Sequence, residues 1–411
     1  MSSPKLPKLP LEILTVVIDA LAASHSDINT LLESMQSASL TCSAFLPLCQ
    51  RHIFASVAIN HLQRPSQKPI SFFEFARFFT EHSYLAKYIR ELSVYLPDTA
   101  PQGGRGGDVV ASLFKAFLNI DGLKSLSICL SRRTSSSEVV KWSDSLFTPA
   151  IEQLLRLPSL SRLQLSNLSE VPLDTITTNL RYLSLDQVSW KSRPELTSFD
   201  WLPPDLEALD SNYSPFTKTL LLSIRPDNQP FVSLKKLARL QISGIEESLE
   251  TCRIAASKSE SLASIYLKTR SRESFNGLYD AILPSFTTLQ HLVIGTSVQR
   301  HDPDPYQHAC EELQKITNTN IQSITFQVHL PFDSIGTTGD GWDQIDGLFT
   351  SEVKWPSLKD VRLEVRIWRY MRPKSTFDVT MQKLTTLYFK KLLASNRIHF
   401  VYECHDGLLH I

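Results

Sequence analysis

Two groups of histidine, cysteine and aspartate residues contain the side chains in this sequence that could do chemistry. His301–Cys310 combines histidines, aspartates and a cysteine, the residue types that bind zinc. Two prolines hold its first half extended, and no pair of residues has the spacing of a standard metal motif. His399, Cys404, His405 and His410 also lack such a spacing. We therefore predict no metal site.

Two polar stretches could bind or carry phosphate. Pro101–Asp108 is glycine-rich but lacks the Lys-Ser/Thr pair of a phosphate-binding loop, so we predict a surface loop there. Ser131–Glu138 places serines beside Arg132 and Arg133, which leaves open a phosphorylation site or an ordinary solvated loop. No catalytic signature remains, so we expect no enzyme, no cofactor and no small-molecule substrate.

Val361–Tyr370 has the composition of a contact surface. Alternate residues are apolar, which predicts a strand whose other face carries Arg362, Glu364, Arg366 and Trp368. Arginine beside tryptophan is typical of protein interaction hot spots and also of single-stranded nucleic-acid contacts. Lys plus Arg and Asp plus Glu both number 42, so no overall field attracts nucleic acid or a membrane. We therefore predict protein binding.

This strand belongs to a pattern that recurs from Ile89 onward: an apolar residue, two others, an apolar residue, one other, and an apolar residue. The last two apolar residues alternate as in a half-buried strand, and the intervals leave room for helices such as Ile151–Leu155 and Leu278–Leu283. The copies are Ile89/Leu92/Val94, Leu123/Leu126/Ile128, Leu160/Leu163/Leu165, Leu180/Leu183/Leu185, Leu206/Leu209/Ser211 (weak), Leu237/Leu240/Ile242, Leu262/Ile265/Leu267, Leu289/Leu292/Ile294, Ile321/Ile324/Phe326, Leu358/Val361/Leu363 and Leu384/Leu387/Phe389.

The pattern resembles the leucine-rich repeat, in which stacked units share one continuous apolar core. Leu168, Val188 and Ile245 stand where that family has a buried asparagine, and the repeat length varies. The resemblance implies an α/β fold, an irregular leucine-rich-repeat-like solenoid of parallel strands with helices and loops. A large α/β domain with parallel strands and crossover helices has the same alternation and remains the alternative.

In such a solenoid, the side chains between the apolar strand residues form one exposed surface. Its C-terminal half is richest in aromatic and cationic residues, the types that dominate binding energy at protein interfaces. The alternative is that these are only the polar halves of half-exposed strands. We predict that an unknown target protein binds at Tyr266, Lys268, His291, Gln327, Arg362, Glu364, Arg366, Trp368, Tyr388 and Lys390.

The N-terminal segment Leu9–Leu21 predicts a short helix with more apolar surface than one small packing partner would cover. Pro10 suits the first helical position, and Glu12 then lies in the first turn, near the positive end of the helix dipole. A second helical pattern opens at Ser26 or Asp27, and a third apolar block spans Leu40–Phe54. Part of the first helix therefore needs a second surface.

The Leu-Pro-x-Glu opening at Leu9 and the Leu-x-Cys-x-x-Phe order at Leu40–Phe45 resemble the F-box. The resemblance runs from Leu9 to Phe54. That family docks on the Skp-type adaptor of a cullin–RING ubiquitin ligase. An ordinary helical cap on the repeat domain is the alternative. The resemblance implies adaptor contacts by Leu9, Pro10, Ile13, Leu14, Val17, Ile18, Leu40 and Phe45.

Three segments follow from these patterns: an F-box-like helical domain at 1–60, a linker with an aromatic helix at 61–88, and the solenoid at 89–411. The cysteines lie far apart without a Cys-x-x-Cys pair, which predicts a reducing compartment. Glu12 and Asp19 interrupt the N-terminal apolar stretch and argue against a signal peptide. No run is long enough for a membrane span. We expect a cytoplasmic or nuclear protein.

The two resemblances together imply a non-catalytic substrate-recognition subunit, in which the N-terminal helices bind the adaptor and the solenoid binds the target. Two alternatives remain: a repeat scaffold with no ligase role, and an enzyme built on an α/β domain. Capture by the adaptor distinguishes the first two hypotheses. A deep pocket with convergent titratable groups would indicate the enzyme.

Overall fold

The computed structural model describes most of the chain and divides it into two compact units, Met1–Asn179 and Leu180–Ile411. The predicted boundaries near residues 60 and 88 both lie inside the N-terminal unit. The described residues are 10–24, 27–60, 72–96, 111–112, 115–130, 140–144, 148–190, 202–225, 227–244, 247–269, 275–297, 307–317, 319–331, 341–369 and 388–408.

The N-terminal unit begins with helices and continues with parallel strands. Its helices are α1 (Leu11–Ala23), α2 (Ile28–Thr41), α3 (Phe45–Ile53), α4 (Phe72–Glu81), α5 (Ser83–Ala86) and α6 (Thr148–Leu155), with short 3₁₀ turns at Trp142–Asp144 and Leu173–Thr175. Its strands are β1 (Ser56–Asn60), β2 (Glu91–Leu96), β3 (Ser125–Leu130), β4 (Val140–Lys141), β5 (Arg162–Ser166) and β6 (Leu168–Ser169).

The predicted N-terminal helices are confirmed, and local capping explains where they begin. Pro10 lies just before α1 as its N-cap rather than inside its first turn. The Asp27 carboxylate accepts a hydrogen bond from the backbone N–H of Thr30 at 2.9 Å, which satisfies one of the free donors at the start of α2. The buried core of the helices is Ile18, Met35, Leu48 and Cys49.

Strands β1, β2, β3 and β5 pair in parallel, each with the next along the chain. Strand β1 was not predicted, because we assigned Ser56–Asn60 to the helical domain. The aromatic helix is confirmed as α4, and Phe75 and Phe79 are fully buried as expected of so many aromatic residues. Phe75 packs against Phe117, with ring centroids 5.8 Å apart.

The C-terminal unit alternates strands with short helices. Its strands are β7 (Tyr182–Asp186), β8 (Ala208–Asn212), β9 (Arg239–Ser243), β10 (Ser264–Thr269), β11 (His291–Ser297), β12 (Ser323–Pro331), β13 (Asp360–Arg369) and β14 (His399–Leu408). Its helices are α7 (Thr217–Leu222), α8 (Ser248–Lys258), α9 (Leu278–Ile282), α10 (Gln307–Gln314), α11 (Gly341–Phe349) and α12 (Lys390–Ala394), with a 3₁₀ turn at Leu283–Ser285.

These strands pair in parallel and strictly in chain order from β7 to β14. The pairing places equivalent residues of the repeated pattern side by side, so that Leu240, Ile265, Leu292 and Ile324 form one row across neighbouring strands. All of them are fully buried. The fold is therefore α/β with parallel strands, and the repeated apolar residues form its core.

The residue after several strands bends the chain in the same way. Asn167, Gln187, Tyr213 and Gly244 directly follow β5, β7, β8 and β9, and all have positive φ angles of 58°, 55°, 47° and 76°. Only glycine adopts this left-handed conformation without steric cost, although asparagine tolerates it. A recurring turn therefore accompanies the recurring strand.

The last predicted copy of the pattern, Leu384/Leu387/Phe389, is wrong as a strand. Its first two residues lie outside the described residues, and Phe389 is the N-cap of α12. The buried Asp346 carboxylate accepts hydrogen bonds from the backbone N–H groups of Lys391 at 3.0 Å and Leu392 at 2.7 Å, which stabilises the start of this helix. The strand in this part of the chain is β14 instead.

No helix in the described segments has both the length and the apolar composition needed to cross a membrane.

Candidate functional site

Helix α1 is apolar on two faces, and the helical core occupies only one of them. Leu14 and Leu21 pack on the core around Ile18. Ile13, Val16 and Val17 have three- and four-residue spacing, lie on another face, and are exposed. Val16 retains 66% of its accessible surface. A helix that only closed the end of a domain would need one apolar face.

The neighbouring helices also carry exposed apolar side chains. Leu40 at the end of α2 is 87% exposed, and Leu46 in α3 is also exposed. Exposed apolar patches of this kind are typical of contact sites. We call Leu11, Ile13, Val16, Val17, Leu40 and Leu46 the apolar helix patch.

Some of the predicted adaptor residues lie in the helical core and others are exposed. This division agrees with the expectation that Leu9–Leu21 has more apolar surface than one small packing partner covers. Pro10, Ile13, Val17 and Leu40 are exposed, whereas Ile18 is buried and Leu14 and Phe45 pack against the helical core. Leu9 lies outside the described residues. The sequence analysis did not assign Leu11, Val16 and Leu46 to the contact, although Leu11 and Val16 lie within the apolar segment Leu9–Leu21.

A polar contact joins α1 to α3. The Asp19 carboxylate accepts a hydrogen bond from the Arg51 guanidinium and lies 2.8 Å from His52 Nε2. The hydrogen bond from Arg51 is the main cause that holds the pKa of Asp19 below its ordinary value. All of these groups are at least partly exposed, so the contact orients the helices more than it stabilises them.

In the C-terminal unit, polar side chains on strands β10, β12 and β13 form a second candidate site. Tyr266 Oη donates a hydrogen bond to Gln327 Oε1 at 2.9 Å, and Gln327 Nε2 donates to Glu364 Oε2 at 2.8 Å. Lys268 Nζ donates to His329 Nε2 at 3.2 Å. We call Tyr266, Lys268, Gln327, His329 and Glu364 the strand-face network.

Gly295 allows this network to cross a strand. It lies on β11 between Lys268 and Gln327 in the sheet register. A Cβ atom at this position would lie 3.2 Å from Lys268 Cγ. Because β11 has no side chain there, Lys268 reaches over it to His329 on β12.

Burial and positive charge determine the protonation of the network. Burial, followed by the charges of Lys268 and Arg366, lowers the pKa of His329 to about 4. His329 is therefore neutral at pH 7, and its Nε2 accepts a hydrogen bond from the Lys268 ammonium group. Burial, then the charge of Arg366, lowers the pKa of Lys268. Burial raises the pKa of the Tyr266 hydroxyl.

No protein-family model matches this chain, and no curated protein matches it. Both sites are therefore interpreted from their own contacts and chemistry.

The structure brings several predicted target-binding residues together on β10, β12 and β13. Tyr266, Lys268, Gln327 and Glu364 belong to the network. The Arg362 guanidinium lies 3.8 Å from both Glu364 and Glu403. Arg366 pairs in register with His329 on the neighbouring strand. Trp368 lies on β13, but its side chain is not among those described.

Three predicted target-binding residues lie apart from the network. His291 is exposed at the first position of β11, and no described hydrogen bond joins it to the network. Our prediction that Tyr388 and Lys390 lie on a strand is wrong, because Tyr388 precedes α12 and Lys390 begins that helix. Sequence reasoning missed His329, which the two-residue alternation after Thr325 and Gln327 would have found in so long a strand.

Only part of the groups first considered for chemistry lies within the described residues, and the side chains of Cys404 and His405 are not among those described. Among the described residues, no cluster of three or more His, Cys, Asp or Glu side chains could hold a metal ion. His399 is exposed and lies 3.2 Å from Asp360. The Cys252 thiol is fully buried, and burial raises its pKa to about 12, so it is unreactive. Pro101–Asp108, Ser131–Glu138, residues 301–306 and His410 lie outside the described residues.

Proposed function

We propose that this protein is a non-catalytic substrate-recognition subunit of a cullin–RING ubiquitin ligase. Its N-terminal helices act as an F-box that binds the Skp-type adaptor. Its strands form an irregular leucine-rich-repeat-like solenoid that binds a target protein. Ubiquitin transfer then depends on the effective concentration of the target near the charged enzyme, not on side-chain chemistry in this chain.

The apolar helix patch is the observation that carries the proposal. The residues of α1 that its own core does not cover, Ile13, Val16 and Val17, lie within the segment that resembles the F-box. Burying such residues in a partner would contribute roughly 25 cal/mol for each Å² of apolar surface removed from water. A docked adaptor would cover this surplus of apolar surface.

The strand order supports the repeat interpretation of the second part. Within each unit, consecutive strands of the main sheet pair in chain order, with no reversal. A doubly wound α/β domain instead reverses its strand order at a switch point. The left-handed residues after β5, β7, β8 and β9 recur with the strands, which also favours a repeated unit.

Adaptor capture tests the proposal. The double variant Ile13→Ser and Val17→Ser removes two exposed apolar side chains and should abolish capture of the purified adaptor, with little change in the unfolding temperature. Leu202→Ser with Val353→Ser is the matched control, because these exposed apolar residues lie in the other unit. Undiminished capture by the first double variant would contradict the F-box proposal.

Failure of the wild-type chain to bind the adaptor would favour the alternative, a leucine-rich-repeat scaffold with no ligase role. The specific observation behind this alternative is the strand-face network, which lies in the C-terminal unit and includes no residue of the apolar helix patch.

A further inference from the structure

The cations within and beside the strand-face network are not all paired with carboxylates. Arg362 lies 3.8 Å from both Glu364 and Glu403, so nearby carboxylates offset its charge. Lys268 and Arg366 have no carboxylate partner within the part of the chain that the structure describes. The side of the sheet that carries the strand-face network therefore has two adjacent positive charges, and no described carboxylate pairs with either of them.

Both cations have hydrogen-bond donors to spare. An ammonium group has three donors, and Lys268 uses one of them on His329 Nε2 at 3.2 Å. The Arg366 guanidinium is exposed, and none of its donors is used within the described residues. The Tyr266 hydroxyl is on the same face but already donates to Gln327.

The position of Lys268 is fixed before any ligand binds. Its stem passes over Gly295, its ammonium group is held by His329, and the side chain is half-buried. A half-buried cation binds an anion more strongly than an exposed one, because water screens the pair less. Arg366 follows His329 directly in the register and supplies the second charge.

We propose that Lys268 and Arg366 form a subsite for an oxyanion, a carboxylate or phosphate group of the bound protein. This inference rests on the proposed function, because it takes the outer strand face as the target surface. The oxyanion would accept hydrogen bonds from both cations and offset their mutual repulsion. The neutral imidazole of His329 positions the ammonium group and does not touch the ligand.

Labelled peptides test the subsite directly. The full chain is titrated, at constant ionic strength, with a hexaglutamate peptide, a serine-rich peptide carrying one phosphoserine, and a hexaglutamine peptide. We expect saturable binding of at least one anionic peptide and none of hexaglutamine. Glutamate-only, phosphoserine-only and dual binding all support the subsite and identify its oxyanion. Absence of saturable anionic binding, or equal binding of hexaglutamine, would overturn it.

Variants then locate the binding. Lys268→Met, which keeps the stem over Gly295, and Arg366→Gln should each weaken anionic-peptide binding about tenfold or more, as expected for a lost charge-assisted hydrogen bond. Arg239→Gln is the matched control, since Arg239 lies on β9 and is paired with Asp210 at 3.2 Å. An equal loss in Arg239→Gln, or no loss in both test variants, would reject the site.

Adaptor capture by the same variants separates this inference from the proposed function. Lys268→Met and Arg366→Gln leave the apolar helix patch intact and should bind the adaptor like wild type. Loss of peptide binding with normal adaptor capture supports the subsite. Normal capture together with unchanged peptide binding in both variants refutes the subsite and leaves the F-box proposal standing.

Discussion

The protonation of His329 provides a quantitative test of the strand-face network. Burial and the charges of Lys268 and Arg366 lower its pKa from 6.5 to about 4. The pKa difference between the unfolded and the folded chain, 6.5 minus 4, corresponds to a difference in proton-binding free energy of roughly 3 kcal/mol, at about 1.4 kcal/mol per pH unit. Well above pH 6.5 the imidazole is neutral in both the folded and the unfolded chain, so it adds no pH dependence there.

Below that pH the two states differ. Between about pH 6.5 and 4 the unfolded chain binds a proton at His329 and the folded chain does not, so the free energy of unfolding falls as the pH falls. The total loss should approach roughly 3 kcal/mol near pH 4. The variant His329→Gln lacks this titration. The difference in the free energy of unfolding between the wild type and this variant should therefore shrink or change sign as the pH falls.

Histidine-selective NMR is the direct assay. The chain has 11 histidines, so the resonance that disappears in His329→Gln identifies His329. We expect this resonance to stay in its neutral position down to about pH 5. Lys268→Met should raise the pKa only in part, because burial is the larger cause. A His329 resonance that titrates near pH 6.5 in the wild type would refute the buried network.

Three further substitutions test the core, a turn and a helix cap by thermal or denaturant unfolding. Leu292→Ala should lower the free energy of unfolding by about 2–5 kcal/mol, because it leaves a cavity in the core. Val293→Ala, at the half-exposed neighbouring position, should have a far smaller effect. Equal, small effects of the two substitutions would mean that the triplets share no core. Gly244→Ala should cost roughly 1–2 kcal/mol or more, because its φ is +76° and the new Cβ would lie 2.2 Å from Tyr213 Cε1; a neutral result would contradict this turn. Asp346→Ala should cost about 0.5–2 kcal/mol by removing the acceptor at the start of α12, and an unchanged unfolding temperature would show that the cap adds nothing.

The apolar triplets made the strands predictable because burial imposes the same spacing on each one. Every predicted copy from Ile89 to Leu363 has its last two residues on a strand, and even the weak third residue Ser211 is fully buried. Ser211 is accommodated by a 2.7 Å hydrogen bond between its hydroxyl and that of Thr217. Before the first strand and within it, Phe54, Val57 and Ile59 have the same spacing as the repeated apolar triplets. We did not recognise this copy, because we had assigned these residues to the helical domain.

The end of the chain shows the limit of this pattern. In the repeat of β14, Arg397 occupies the first apolar position, and Phe400 and Tyr402 pair with Val361 and Leu363. The Arg397 guanidinium donates to the backbone oxygen of Trp355 at 2.7 Å and to that of Phe349 at 3.3 Å. A half-buried arginine can therefore stand at a position that other copies fill with leucine, when nearby backbone carbonyl groups accept its hydrogen bonds.

The strand-face network depends on a residue that no search for functional side chains would select. Tyr266 and Gln327 are 61 positions apart in the chain and lie on strands separated by β11. Alternation predicts that both face the same side, but not that they touch. The strand between them carries Gly295, where a Cβ atom would lie 3.2 Å from Lys268 Cγ, and Lys268 crosses β11 there to reach His329. The composition of the intervening strand therefore decides which side chains meet, and pairing register has to be known before polar residues on such a face can be combined into a site.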